Sequence, residues 1–173
     1  MTMPTYDVTA PLLPGQPWNL VVGPGMPPLP RARLVLAGPA HQVAMGVQAN
    51  VALNAGCVGI YTDSLADCSA FAVLYRDHHG AWSRASLIHI LGGPDPNAVN
   101  WPGMVNNMPA GGIATWYAIL ANSRPTILTD NFLQAITANL PAIPAANTWV
   151  YNGQSSSINF GVDSGAFAGQ TGI

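Results

Sequence analysis

The sequence predicts an α+β fold: a single domain in which an antiparallel-rich β-sheet or sandwich is flanked by one or two helices. Short β-prone runs bounded by Gly, Pro or Asn fill the first half of the chain. A β-hairpin pattern covers residues 69–93, and an amphipathic helical pattern begins at residue 129. Strands, hairpin, helix and further strands follow one another without the regular β-α alternation that produces parallel sheets, so we expect mainly antiparallel pairing.

Length and composition limit the number of domains and the classes of partner. The chain has 173 residues, of which 49% are hydrophobic and 7% are charged, enough for one domain with a core. We expect residues 31–173 to form that domain, after a proline-rich lead-in at residues 1–30. The charged side chains are five Arg and seven Asp, with neither Lys nor Glu, and no basic cluster occurs. Nucleic acid is therefore not an expected partner, and neither is an anionic membrane surface.

The first half of the chain is expected to be extended. Prolines fix φ and remove backbone donors, so the lead-in is predicted to be extended, with one short strand at residues 18–23. Four apolar runs bounded by turn residues are then predicted to be strands: 33–38, 41–47, 51–53 and 57–61.

The β-hairpin at residues 69–93 is the element that the sequence pattern predicts most clearly. Residues 70–75 are apolar, residues 76–80 form a polar turn, and residues 82–91 are rich in β-branched and aromatic side chains. Residues 94–109 are rich in Pro, Asn and Gly, which predicts an excursion loop anchored by Trp101.

The second half mixes helices and strands. Residues 113–120 fit either a helix or a buried strand, and the helix is favoured. A further helix is capped at residues 129–131 and ended by Pro141. Its apolar residues share one face: Phe132, Leu133, Ile136 and Leu140. Three terminal strands are expected at residues 149–151, 157–162 and 166–168.

The hairpin pattern brings a cysteine and a histidine together. Cys68 precedes the first hairpin strand, and His89 lies near the end of the returning strand. In an antiparallel hairpin these two ends are neighbours, and a separation of 21 residues suits arms of about seven to nine residues. An imidazole beside a thiol can generate the nucleophilic thiolate. Thr62, at the end of the preceding strand, is a candidate for orienting the imidazole or a substrate amide.

Each of these residues also has a structural interpretation. Cys68 could be a small buried apolar residue, His89 a hydrogen-bonded core residue and Thr62 an ordinary strand end. Cys57 competes as the nucleophile, although its apolar run favours core packing. A Cys57–Cys68 disulfide would inactivate a Cys68 site.

Other polar residues are weaker candidates. Asp63 and Asp67 could orient the imidazole, but Asx-turn roles explain them as well. His78 and His79 lie in the hairpin turn without enough convergent ligands for zinc, and His41 stands alone. Without Lys, no Walker-type phosphate loop is encoded. No metal or organic cofactor is expected.

Two segments carry a family resemblance: residues 58–68, which read Val-Gly-Ile-Tyr-Thr-Asp-Ser-Leu-Ala-Asp-Cys, and the end of the hairpin at residues 86–91, which reads Ser-Leu-Ile-His-Ile-Leu. Together they resemble the CheD family of chemoreceptor glutamine deamidases. The same Cys and His arrangement occurs in cytotoxic-necrotizing-factor toxin domains. The resemblance implies Cys68 as nucleophile, His89 as base and Thr62 as the third residue. The sequence departs from the family at Ala66-Asp67, where Gly-Ser is usual.

Two alternatives stay open. Asp67-Cys68-Ser69-Ala70-Phe71 is similar to the Asp-Cys-Ser-Gly-Phe start of NlpC/P60 peptidases, in which the Cys opens a helix. A non-catalytic binding module on the same fold, using its weakly charged surface for docking, is the other.

The resemblance implies a cysteine-dependent deamidase acting on a Gln, or an Asn, of a protein substrate through a thioester. A toxin or effector setting follows from the similarity to toxin domains and from the absence of Lys, although compositional drift also explains that absence. Residues 1–7 have neither a positive region nor an apolar core. We therefore expect secretion or translocation without a classical signal peptide, or else a cytoplasmic location, with an immunity protein or chaperone as a candidate partner.

Overall fold

The computed structural model describes residues 5–7, 29–30, 39–77, 82–107, 115–122, 129–141, 143, 148–152, 158–163 and 166–171. The strands expected at residues 18–23 and 33–38 lie outside these ranges. His78 and His79 lie outside them as well.

Eleven strands and two α-helices are present in the described part of the chain. The strands are β1 (Thr5–Asp7), β2 (Leu29–Pro30), β3 (Ala40–Gln42), β4 (Gln48–Ala52), β5 (Gly59–Thr62), β6 (Ser69–Arg76), β7 (Trp82–Ile90), β8 (Thr115–Asn122), β9 (Thr148–Asn152), β10 (Ile158–Asp163) and β11 (Ala166–Thr171). The helices are α1 (Trp101–Asn106) and α2 (Thr129–Asn139), and a 3-10 turn at Pro96–Ala98 precedes α1.

The strands form two sheets. Sheet I has six strands in the order β1-β9-β8-β6-β7-β4, and sheet II has five in the order β2-β11-β10-β5-β3. The central pairings β4–β7, β6–β7, β6–β8, β10–β11 and β5–β10 are antiparallel, whereas β8–β9, β1–β9, β2–β11 and β3–β5 are parallel. The predicted α+β class with an antiparallel-rich sandwich is confirmed.

Sheet I forms the middle of three layers. Alternate residues of β6 and β7 point to opposite faces, as strand geometry requires. One face packs on sheet II in a core that includes Ala72, Leu87 and Phe160. The other face packs on the helices in a core that includes Phe71 and Phe132, whose rings meet edge to face with centroids 5.0 Å apart. Because β6 is covered on both faces, it is buried from Ser69 to Tyr75.

The hairpin and the second helix are confirmed. β6 and β7 pair from Ser69↔Ile90 to Arg76↔Trp82, and α2 buries Phe132 and Ile136 on its predicted face, with Leu140 buried directly after its end. The three terminal strands are also present, as β9, β10 and β11.

Two predictions are wrong. Residues 113–120 were expected to be helical, but β8 runs from Thr115 to Asn122 between β6 and β9. A strand buried on both faces has a continuous apolar sequence, which lacks the alternation that identifies half-exposed strands. The expected excursion loop at residues 94–109 contains helix α1, although Trp101 does anchor it, at 5.7 Å from Phe71 between ring centroids.

Candidate active site

Thr62 and His89 meet between the two sheets. Thr62 is the last residue of β5 in sheet II, and His89 is the penultimate residue of β7 in sheet I. The Oγ1 atom of Thr62 lies 2.7 Å from Nδ1 of His89, and both side chains are buried. The Thr62 hydroxyl donates its hydrogen to the carbonyl oxygen of Val43 at 2.8 Å. Because that hydrogen is used, Nδ1 of His89 must donate to Thr62, which leaves Nε2 unprotonated in the neutral ring.

The Nε2 atom of His89 is the chemically available nitrogen. It is buried and accepts no hydrogen bond from the described residues, so the Cys68 thiol is not hydrogen-bonded to it. Burial lowers the pKa of His89 below its usual value, and the Asp63 carboxylate raises it by a smaller amount. The ring is therefore neutral at neutral pH, with its basic nitrogen held inside the sandwich.

The sheet register brings Cys68 close to His89. His89 is opposite Ala70, and opposite residues of an antiparallel pair point to the same face. Cys68 lies two residues before Ala70, and it packs on the same core between the sheets, half-buried. It is thus a diagonal neighbour of His89, a relation in which Cβ atoms are about 7 Å apart. The structure places Thr62, Cys68 and His89 on one side of sheet I.

A short anchored loop leads from Thr62 to Cys68. Ser64 has a positive φ of 57°, which an L-residue adopts at an energetic cost. The next residue, Leu65, is fully buried in the core between the sheets. The loop is therefore held at its centre, which fixes where the chain enters β6 and hence where Cys68 lies.

A β-bulge faces His89 from the other side. The amide of Gly46 donates to the His89 carbonyl oxygen at 2.9 Å, and the His89 amide donates to the Val47 carbonyl oxygen at 3.1 Å. Two residues thus oppose one, with Gly46 at a φ of 76°, which is the arrangement of a G1 bulge. The Val47 amide closes the preceding turn by donating to Ala44. Residues 43–47 therefore contact Thr62 through a carbonyl group and His89 through both of its backbone groups.

The sequence did not reveal this segment. It was predicted to be part of a strand at residues 41–47, whereas β3 ends at Gln42 and the chain then turns toward sheet I. The available signal was Gly46 itself, because an isolated glycine in an apolar strand pattern indicates a bulge. The role of the Val43 carbonyl group has no sequence signal, since any residue supplies one.

Two of the other candidate residues, Asp63 and Cys57, form hydrogen bonds with residues outside the Thr62–His89 pair. Asp63 accepts a hydrogen bond from Gln42 at 3.1 Å and acts on His89 through its charge. His41 is exposed on β3, and Asp67 is exposed in the loop. Cys57 precedes β5, and its thiol donates to the Gly59 carbonyl oxygen at 3.4 Å. The Cys57 thiol is therefore engaged within its own segment at the start of β5.

Both cysteines are thiols, so the disulfide considered from the sequence is not formed in this structure. Cys68 is followed by strand β6 and not by the helix that an NlpC/P60-type nucleophile would open. Within the described ranges, no three His, Cys, Asp or Glu side chains converge in a way that could hold a metal ion. None of the helices in those ranges is long and apolar enough to cross a membrane.

No protein-family model matches the chain, and no curated protein matches it either.

Proposed function

We propose that this protein is a cysteine-dependent deamidase of the CheD and cytotoxic-necrotizing-factor type, which converts a glutamine or asparagine of a protein substrate to the corresponding acid. Cys68 is the nucleophile, His89 the base and Thr62 the residue that orients the imidazole. The observation that supports this most directly is the 2.7 Å Thr62–His89 contact, because it leaves the buried Nε2 atom as the basic nitrogen.

The proposed reaction has two halves. In the first, Nε2 of His89 takes the thiol proton as the Cys68 sulfur attacks the carboxamide carbon. The resulting imidazolium protonates the departing nitrogen, so ammonia leaves and a thioester remains. In the second, His89 takes a proton from water as the water oxygen attacks the thioester. That proton returns to the sulfur, which releases the carboxylic acid and restores the thiol.

The buried location of His89 supports this chemistry. A neutral imidazole can accept a proton at once, and burial keeps His89 neutral at neutral pH. The tetrahedral intermediate also needs donors for its oxyanion, which we assign to backbone amides next to Cys68. Such donors contribute about 3 kcal/mol each in other acyl-transfer sites.

A toxin or effector setting is part of the proposal, because the deamidases that the sequence resembles include toxin domains. A substrate protein, and an immunity protein or chaperone that blocks the site before delivery, would then be the partners. Conditional expression of the wild type and of Cys68→Ala in a eukaryotic cell tests this setting. Growth arrest by the wild type alone supports it, and equal growth contradicts it.

Thiol labelling tests the catalytic assignment. Iodoacetamide is applied from about pH 5 to about pH 9, and peptide mass spectrometry reports Cys68 and Cys57 separately, so that Cys57 is the internal control. We expect Cys68 to react at least about tenfold faster than Cys57 near neutral pH, where the neutral His89 imidazole can take the thiol proton, and to lose that advantage in His89→Ala. Equal, slow labelling of both thiols would favour the binding-module alternative.

Product analysis tests the reaction itself. Incubation with a cell lysate should raise the mass of a target peptide by about 1 Da, as amide-to-acid conversion requires. Cys68→Ser and His89→Ala should leave that peptide unchanged. Turnover by Cys68→Ser at the wild-type rate would contradict the proposal.

A further inference from the structure

An exposed apolar rim adjoins the Cys68–His89 pair. It consists of Met45, Val47 and Leu91, which are 61%, 45% and 60% exposed and are the large hydrophobic side chains exposed in the described part of the chain. Because most large apolar residues in the described ranges are buried, this grouping beside a candidate nucleophile requires an explanation.

The sheet register places the rim next to the reacting groups. Val47 belongs to the bulge opposite His89, through the His89 amide bond to its carbonyl oxygen at 3.1 Å. Leu91 follows the Ser69↔Ile90 pair, so one further step of the register brings it beside Cys68. A side chain at Gly46 would lie 3.8 Å from the Cδ1 atom of Leu91, which shows that Leu91 extends over the turn that carries Met45.

A neighbouring segment of the site is acidic and not apolar. The loop from Thr62 to Cys68 exposes two carboxylates, those of Asp63 and Asp67. Asp63 is close enough to His89 to raise its pKa, which locates negative charge on this flank. An acidic residue next to the target side chain would be repelled there, whereas an apolar residue would be accepted at the rim.

We propose that Met45, Val47 and Leu91 bind an apolar side chain next to the target glutamine or asparagine, so that the substrate is a protein segment with an aliphatic residue flanking its target carboxamide. This inference rests on the proposed function, since it assigns the substrate preference of that same site. Burial of an aliphatic side chain against the rim would hold the carboxamide over Cys68.

Two reactive tripeptides separate this preference from catalysis. In both, a chloroacetamide side chain replaces the target carboxamide, so that the Cys68 sulfur displaces chloride and forms a thioether. The flanking residues are Leu in one probe and Asn, of nearly equal size, in the other. We expect the Leu probe to label Cys68 about tenfold faster than the Asn probe in the wild type.

Rim variants and a matched control test the residues involved. Leu91→Asn and Met45→Gln should reduce the preference to about twofold or less, because each replaces an apolar contact by a polar one. Ala138→Gln, on the exposed surface of α2 on the other side of sheet I, should keep it. Unchanged thermal unfolding of each variant shows that the fold persists, and Met45→Gln, in an exposed turn, is the variant least able to disturb it.

The outcomes distinguish the two proposals. Equal labelling by the Leu and Asn probes, or a preference that survives in both rim variants, overturns the rim assignment while His89-dependent labelling of Cys68 still supports the deamidase. Labelling of Cys68 no faster than that of Cys57, by either probe and with or without His89, overturns the deamidase and the rim assignment together.

Discussion

The Thr62 hydroxyl group decides which nitrogen of His89 can act as a base. Its hydrogen is committed to the Val43 carbonyl oxygen, so its lone pair accepts from Nδ1, and the basic lone pair falls on Nε2. A single hydroxyl thereby sets the tautomer of the ring. In the proposed mechanism Thr62 is a positioning residue, because it acts through His89.

Replacement of Thr62 should therefore change the tautomer of the His89 imidazole. Thr62→Val keeps the shape but leaves the Val43 carbonyl and His89 Nδ1 groups without their partner, so we expect a loss of about 1–3 kcal/mol in unfolding free energy. Cys68 labelling should slow by about tenfold or more, and the nitrogen chemical shifts of His89 should report mixed tautomers. Thr62→Ser, which retains the hydroxyl, should behave like the wild type. A Thr62→Val protein with a single Nδ1-protonated His89 would refute the assignment.

Burial of His89 predicts a pH dependence of stability. Because its pKa is lower in the folded protein than in the unfolded chain, the unfolded chain binds the proton first as the pH falls. The stabilising contribution is thus present above the ordinary histidine pKa and is lost as the pH falls from about 7.5 to about 5. Urea unfolding of the wild type and of His89→Gln across this range measures it. The wild-type free energy should fall more steeply, and parallel curves would show that His89 has no such role.

The residue scale also shows what the sequence could predict. Cys68 and His89 were paired from hairpin topology alone, because the separation of two strand ends follows from the length of the arms. Thr62 was named as a third residue. The nitrogen of His89 that it contacts, Nδ1, and the carbonyl oxygen of Val43 that accepts its hydrogen could not be predicted. They depend on how sheet II packs on sheet I, and no local pattern encodes that packing.

The bulge at Gly46 is the element that holds the backbone of His89. Its φ of 76° is readily adopted by glycine and costs an L-residue about 1–2 kcal/mol. We expect Gly46→Ala to lose that amount of stability. It should also slow Cys68 labelling, because the hydrogen bonds that the His89 backbone makes with Gly46 and Val47 would shift. The strain comes from the backbone, because a Cβ atom would meet Leu91 at an ordinary distance of 3.8 Å.

Denaturant unfolding and labelling of Gly46→Ala and Gly46→Asn check this. Asparagine tolerates the left-handed region better than alanine, so Gly46→Asn should lose less stability. Equal losses in the two variants would mean that the positive φ is not the cause.

The elements differ in how well local sequence defined them. Helix α2 was predicted because its apolar residues recur at helical spacing and because the sequence offers N-cap residue types at 129–131 and a proline at 141. Strand β8 was mistaken for a helix because both of its faces are buried, in the two cores on either side of sheet I. Its identity depends on its neighbours β6 and β9, which lie far away in sequence.

The whole molecule carries few charges, and this predicts its colloidal behaviour. The isoelectric point is about 6.0, and only 7% of the residues are charged. Near that pH, little net charge opposes association of the exposed apolar rim. We expect the solubility of the purified chain to be lowest near pH 6.0 and to rise on either side. Light scattering from about pH 4 to about pH 9 measures this, and a minimum elsewhere would contradict it.

The division of the site between two sheets has a consequence for the order of events during synthesis. Cys68 and His89 lie within one hairpin and become neighbours as soon as that hairpin forms. Thr62 lies on β5, which is hydrogen-bonded to β10, with Thr62 opposite Phe160. A nascent chain that ends before β10 therefore contains the Cys68 thiol and the His89 imidazole, but its Thr62 is not yet held in place by β10 to orient the ring. In the proposed mechanism, catalytic competence arises only after β10 has been synthesised and has paired with β5, so shorter nascent chains lack the activity.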